Sequence, residues 1–154
     1  MLDIVIQNEQ TLTAPDDQKL IHWANKVLQH EGVSTAEICI RIVPKDESRS
    51  LNNTYRGKNK PTNVLSFPSD IPEEFGLGLM GDLAICSDIV IAEAQEHHID
   101  TEARWAHMIT HGVLHLLGYD HLEESEAIIM ETLETKLLSN WGYNHPYQPI
   151  DINA

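Results

Sequence analysis

The stretch HGVLHLLGYDH, residues 111–121, places three histidines around a glycine and constrains this chain more than any other feature. His111 and His115 are four residues apart, so on a helix their side chains lie one above the other on the same face. Gly118 follows three residues later, and glycine readily adopts the left-handed backbone that ends a helix. The chain can then turn and bring His121 back toward the pair. The pattern therefore predicts a helix that ends beside three convergent imidazoles.

Three convergent imidazoles predict a metal site. Each ring nitrogen can approach one ion to about 2.0–2.1 Å, and three protein ligands leave a fourth position open, as in catalytic zinc sites. A closed structural site would use four protein ligands. We therefore predict one Zn²⁺ ion held by His111, His115 and His121. The same three imidazoles would also suit nickel or copper, so the residues alone do not select the metal.

The spacing H-x-x-x-H-x-x-G-x-x-H is that of the metzincin zinc peptidases, with one difference. Those enzymes carry a glutamate general base directly after the first histidine, and this chain has Gly112 there. The metal-binding half of the motif is intact and the peptidase base is missing. We expect the glycine to leave room above the metal for a bulky substrate.

His107 extends the stripe of histidines by one more turn and leaves alternatives open. It could replace His115 as a ligand, although only the pair His111 and His115 leaves Gly118 and His121 correctly spaced. The whole stripe could also be a solvated polar face beside an apolar one. The remaining histidines have no such context and are interpreted as ordinary surface or core residues.

The charge is strongly acidic but unevenly distributed. A net charge of −14 disfavours non-specific binding to polyanions. Residues 41–69, however, hold six of the ten basic residues and only two of the 24 acidic ones, a local net charge of +4. The segment predicts either a localised patch for an anionic ligand or the solvated face of a surface helix.

Hydrophobic periodicity predicts the element order βαβαββααα. Strands come first and helices gather at the end, which is typical of an α+β domain. We expect one domain, residues 1–154, with a small mixed sheet of about four strands covered by helices and the metal site on a helix of the C-terminal half. A short polar helix over about residues 46–56 should turn Leu51 and Tyr55 inward. The loop at about 69–79 is long for a plain connection, and such loops are often functional.

Nothing in the sequence predicts export or a membrane. The amino-terminal MLDIVIQNEQ is too short and too acidic for a signal peptide, and no apolar stretch approaches the roughly 18 residues of a membrane span. The two cysteines do not form a CxxC pair. We expect a cytoplasmic protein with reduced thiols.

Three segments together, HGVLHLLGYDH, LNNTYRGKNKPTNVLSFP and GDLAIC, resemble the YbeY family of bacterial endoribonucleases, and the resemblance covers about residues 37–140. It implies a metal-dependent endoribonuclease specific for single-stranded RNA. It also implies a role in ribosomal RNA maturation, especially at the 3′ end of 16S rRNA, and in ribosome quality control. The implied partners are ribosomal RNA and the small ribosomal subunit or its associated factors.

The resemblance implies roles for particular residues. His111, His115 and His121 would be the zinc ligands, and Arg56 would act near the metal. The family often has aspartate in the segment where this chain has Asn63, so a carboxylate role there does not carry over. The metal ligands are unaffected by that difference.

Chemistry suggests how these residues would act. The planar guanidinium of Arg56 matches two phosphate oxygens and could stabilise the charge that develops during phosphodiester cleavage. Lys58 and Lys60 are candidates for contacts to flanking phosphates. Asp120 could orient a ligand or accept a proton, and the general base and nucleophile stay open. Arg56 could instead cap a helix and pair with an acid.

Two other functions stay open at this point. One is a zinc metallopeptidase-like hydrolase, which the histidine spacing favours and Gly112 disfavours. The other is a non-catalytic ribosome-assembly factor in which the metal only stabilises the fold.

Overall fold

A computed structural model describes residues 2–69, 79–120 and 122–143. It confirms the predicted α+β class and the order of the elements. The strands are β1 (Leu2–Gln7), β2 (Ala36–Val43), β3 (Val64–Pro68) and β4 (Leu79–Cys86). The helices are α1 (Asp17–His30), α2 (Lys45–Arg56), α3 (Ser87–Glu96), α4 (Thr101–Leu116) and α5 (Glu124–Asn140). Most of the long loop predicted at 69–79 lies outside the described residues.

The four strands form one mixed sheet in the order β1-β2-β4-β3. β1 pairs with β2 and β2 with β4 in parallel, with Ile4 opposite Ile38 and Ile40 opposite Leu83. β3 pairs with β4 in the antiparallel sense, so Ser66 lies opposite Leu83. Parallel neighbours require crossover connections, which α1 supplies between β1 and β2.

The main core lies between one face of this sheet and helices α1 and α4. Helix α4 is the most enclosed of the described helices, because apolar residues occur around most of its circumference, as expected of a helix inside a core. A smaller cluster on the other face of the sheet packs against α2. The members of this smaller cluster are Val43, Leu65, Ala84 and Cys86, with Leu51, Phe67 and Ile89 at its edge.

None of the described helices is both long enough and apolar enough to cross a membrane. The two cysteines lie in β2 and β4, and both are free thiols. Burial raises the pKa of Cys86, the more enclosed of the two, so its thiol is protonated at neutral pH. Neither thiol adds chemistry to the site described next.

Candidate metal centre

Helix α4 carries His107, His111 and His115 on successive turns. The ring centroids of His111 and His115 are 4.6 Å apart with planes at 77°, whereas those of His107 and His111 are 6.3 Å apart. The structure therefore brings together the two histidines that the sequence placed on one face. Both are partly exposed, whereas the side chain of His107 is only 6% exposed.

Gly118 ends the helix in the manner that the sequence predicts. Its φ of 103° lies in the left-handed region that favours glycine. The Gly118 amide donates to the carbonyl of His115 (3.0 Å), and the Tyr119 amide donates to that of Leu114 (3.1 Å). These two bonds form a Schellman motif, which satisfies carbonyls at the helix end and reverses the chain. His121 itself lies outside the described residues.

A cavity of about 820 Å³ opens beside this helix end. His111, His115 and Asp120 line it, and so does Leu122. Arg56, the last residue of α2, lies on its wall. The structure thus brings Arg56 to the same cavity as the two histidines, although the three are far apart in sequence.

Lys58 and Lys60 are exposed and are not among the residues that line this cavity. The loop that carries them is fixed to α2 by its backbone. The buried Asn52 side chain donates to the carbonyl of Lys60 (2.8 Å), and the buried Ser48 hydroxyl donates to that of Thr62 (3.0 Å). The two lysines therefore project from an anchored loop outside the cavity.

The arginines of the basic segment, residues 41–69, differ in their hydrogen-bond and ion-pair partners. Arg41 lines the cavity but pairs with Glu47 at 2.5 Å. Arg49 donates to the Asn59 side chain at 2.8 Å. No ion pair joins Arg56 to another of the described residues, so the alternative in which Arg56 pairs with an acid is not supported among them.

Sequence reasoning missed Glu134, which is fully buried on α5. One carboxylate oxygen lies 3.0 Å from Nδ1 of His111, and the other lies 2.5 Å from Nε2 of His107. Burial raises the pKa of Glu134, but the hydrogen bonds to His107 and His111 outweigh it and lower the pKa to about 2. The carboxylate is therefore ionised at neutral pH. A signal was present in the sequence, because Glu134 interrupts a helical stripe of buried apolar residues that includes Met130 and Leu138.

His107 belongs to a hydrogen-bonded chain behind the site rather than to a solvated face. Its Nδ1 lies 3.2 Å from one terminal guanidinium nitrogen of Arg104, and the other terminal nitrogen donates to Glu93 at 2.8 Å. The amide of Asn63 donates to Glu93 at 3.1 Å and so extends the chain to the start of β3. Burial lowers the pKa of His107, which keeps the ring neutral. The prediction that the histidine stripe could be a solvated polar face is wrong for His107.

Among the described residues, two sets of groups at this place have the chemistry to bind a metal. His107, His111 and Glu134 offer ligand atoms within 4.8 Å of one another. His111 and His115 form the second, cavity-facing set. In the first set each imidazole contacts its own carboxylate oxygen at hydrogen-bond distance. Two ligands of one tetrahedral zinc at about 2.0–2.1 Å would be about 3.3 Å apart, so the contact of His107 is too short for shared coordination.

Comparison with known proteins identifies the family. The sequence profile described as "Endoribonuclease YbeY" matches residues 5–142. The chain belongs to the YbeY family. Its fold is similar to the solution structure of TM1509 from Thermotoga maritima, with a TM-score of 0.59 and 22% sequence identity over 96% of this chain and 99% of that one. The structural likeness supports the fold, and membership of the YbeY family supports an endoribonuclease that acts in ribosomal RNA processing.

Gly112, where metzincin peptidases have their base, has a packing role in this YbeY-family chain. A Cβ atom there would lie 2.8 and 2.9 Å from the two methyl carbons of Leu83 and 3.3 Å from a methyl of Val64. The expectation that this glycine leaves room for substrate is wrong, because the space beside it is already filled. A glutamate at this position would enter the layer between α4 and the sheet.

Proposed function

We propose that this protein is a zinc-dependent, single-strand-specific endoribonuclease of the cytoplasm. Its substrate would be ribosomal RNA, with maturation of the 3′ end of 16S rRNA and ribosome quality control as its processes, and its partner would be the small ribosomal subunit or associated factors. One observation carries the proposal: His111, His115 and Arg56 line the same cavity. Family membership supplies the substrate class.

The metal ligands in this proposal are His111, His115 and His121. His111 and His115 have the spacing and the chemistry that one ion requires. Nδ1 of His111 is hydrogen-bonded to the carboxylate of Glu134, and metal-ligating histidines usually have such a partner on the nitrogen that does not bind the metal. Asp120 and Leu122, on either side of His121, line the same cavity. A bound zinc ion lowers the pKa of a water molecule and polarises phosphoryl oxygens.

Arg56 would hold the phosphate that is cleaved. Its guanidinium can donate two parallel hydrogen bonds to phosphate oxygens, and its charge stabilises the transition state, in which negative charge increases. Arg56 forms no ion pair with another described residue, which supports this role because its guanidinium then has no carboxylate within ion-pair distance among them. Lys58 and Lys60, outside the cavity, would contact the neighbouring phosphates of the strand.

Tyr55 provides the argument for single strands. The sequence predicted an inward-facing ring, but the ring is 65% exposed, lines the cavity and meets Phe67 edge to face with centroids 5.0 Å apart. The prediction is wrong for Tyr55: Leu51 packs against the smaller core cluster, whereas Tyr55, one turn farther along α2, lies against the ring of Phe67 and stays exposed. An exposed aromatic face next to phosphate-binding groups is typical of proteins that stack unpaired bases.

The test compares a short single-stranded RNA, the same sequence as a duplex, and casein. Protein purified without a nickel column would be stripped with a chelator and reloaded with Zn²⁺. We expect cleavage of the single strand alone, loss of cleavage on stripping and recovery on reloading. Cleavage of casein would favour the peptidase. A fall in melting temperature on stripping, with no cleavage before or after, would favour the assembly factor.

The ligand set has its own measurement. Replacing His115 with alanine should abolish stoichiometric zinc binding in elemental analysis of folded protein. Retention of one zinc ion by His115→Ala would instead support the set of His107, His111 and Glu134 and would refute our ligand assignment.

A further inference from the structure

The buried carboxylate of Glu134 lies between two imidazoles, and the proton on each ring follows from its partners. A guanidinium can only donate hydrogen bonds. A guanidinium nitrogen of Arg104 contacts Nδ1 of His107, so Nδ1 of His107 accepts a hydrogen bond from Arg104. In a neutral ring the proton is then on Nε2, which donates to Oε2 of Glu134 at 2.5 Å.

The second ring follows by the same reasoning. An ionised carboxylate only accepts hydrogen bonds. Nδ1 of His111, 3.0 Å from Oε1 of Glu134, therefore carries a proton and donates it. In the neutral ring Nε2 is then the nitrogen with the lone pair. A metal can bind only this nitrogen, since an imidazole nitrogen that carries a proton is not a ligand.

We infer that Glu134 is a positioning residue that selects the Nδ1–H tautomer of His111 and so makes Nε2 of that ring the metal-binding atom. His107 has a different task. It contacts Arg104 with one nitrogen and Glu134 with the other, so it orients the carboxylate and is not a ligand itself. The inference rests on the proposed function, because it assigns His111 to the metal.

The rest of the hydrogen-bonded chain explains why the carboxylate is held in place. Arg104 is held by Glu93 at 2.8 Å, and Glu93 is held by Asn63 of the strand edge at 3.1 Å. Helices α3, α4 and α5 and the residue before β3 therefore all contribute to the position of one carboxylate. Outer partners of this kind orient the ligand and increase its basicity, and their loss typically weakens metal affinity about 10–100-fold.

A matched substitution separates positioning from simple core packing. Glu134→Gln keeps the size of the side chain but offers one acceptor oxygen and one donor group. The amide oxygen can accept from only one of the two rings. Because Arg104 keeps Nδ1 of His107 as an acceptor, that oxygen should face Nε2 of His107, and the NH2 group should face Nδ1 of His111, which must then lose its proton. Glu126→Gln, on the exposed first turn of the same helix, is the control for loss of one negative charge.

Two measurements on the full chain test the inference. Long-range ¹H–¹⁵N correlation spectra of the metal-free protein report the tautomer of each histidine. The dissociation constant for Zn²⁺ comes from competition with a coloured chelator. We expect His111 of the unsubstituted protein to be protonated on Nδ1, and Glu134→Gln to bind Zn²⁺ about 10–100-fold more weakly, with Glu126→Gln unchanged.

Several results would overturn the inference. A proton on Nε2 of His111 in the unsubstituted, metal-free protein would refute it, and this measurement needs no variant if Glu134→Gln fails to fold. An unchanged Zn²⁺ affinity in a folded Glu134→Gln protein would show that the carboxylate only packs the core. Complete loss of zinc binding would make Glu134 a ligand instead. Failure of the proposed function is distinguishable: no Zn²⁺ binding by the unsubstituted protein would refute the metal assignment, and Zn²⁺ binding without RNA cleavage would refute only the nuclease activity.

Discussion

Substitution of Gly112 by alanine tests the packing of the site helix against the sheet. The added Cβ would approach both terminal carbons of Leu83 to 2.8 and 2.9 Å, where ordinary contacts begin at about 3.4 Å. Leu83 is fully buried, so its side chain has little room to move away. Overpacking of this kind typically costs about 1–3 kcal/mol. Against this cost, replacing glycine by alanine inside a helix raises the free energy of unfolding by about 1 kcal/mol.

The net expectation is that Gly112→Ala lowers the free energy of unfolding by about 1 kcal/mol, as the difference between the overpacking and propensity effects. For a chain of 154 residues this corresponds to a melting temperature lower by about 2–4 °C. Urea denaturation followed by circular dichroism measures the free energy directly, and the slope with denaturant shows whether two-state unfolding is kept.

The sign of the effect should reverse when its cause is removed. Leu83→Ala by itself should be destabilising by about 2–5 kcal/mol, because it leaves a cavity. Adding Gly112→Ala to Leu83→Ala should then raise stability by up to about 1 kcal/mol, since the helix gains propensity and the clash with Leu83 is gone. Gly112→Ala that stabilises the protein equally in both backgrounds would refute the assignment of this glycine to packing.

Three further substitutions test the site and its surroundings. Arg56→Glu should leave zinc content unchanged and slow cleavage of single-stranded RNA by about 100-fold or more, because a carboxylate replaces the phosphate-binding fork. Asn63→Asp should lower the free energy of unfolding by about 1 kcal/mol at pH 7 in urea titrations, because a donor 3.1 Å from Glu93 becomes a second anion. For Tyr143, burial and then Glu102 raise the pKa to about 12, above the unfolded value of about 10. Between these two pH values, unfolding therefore releases a proton from Tyr143. The free energy of unfolding should then decrease as pH rises from about 10 to 12. Tyr143→Phe should make that decrease smaller.

Each of these predictions has a matched control. Lys45→Glu makes the same charge change at an exposed position of α2 away from the cavity lining and should cleave RNA normally. Asn53→Asp adds an acid at an exposed position of the same helix and should not reproduce the effect of Asn63→Asp. For Tyr143→Phe the control is the pH range below about 9, where the difference in stability from the unsubstituted protein should be constant. Equal effects of a variant and its control would contradict the corresponding prediction.

Local sequence determined the strands, the helices and the approach of His111 to His115. Hydrophobic periodicity depends on neighbours three or four residues apart, so it predicted the four strands, the five helices and their order. The approach of His111 and His115 follows from helix geometry alone, and Gly118 ends the helix because its backbone allows a positive φ. The assignment of these histidines to a metal stays a prediction, as does the role of His121.

Tertiary structure decided the features that depend on distant parts of the chain. The pattern of α2 made Tyr55 equivalent to Leu51, but in the fold Leu51 packs, partly buried, against the smaller core cluster and Tyr55 is exposed. The sequence predicted that Gly112 leaves space for substrate, whereas in the fold the side chain of Leu83 fills the space beside it. Glu134 is 23 residues from His111 along the chain, and the packing of α5 against α4 brings them together. Hydrogen-bond partners of buried groups are set by how elements pack, and periodicity within one element carries no information about the neighbour that it will meet.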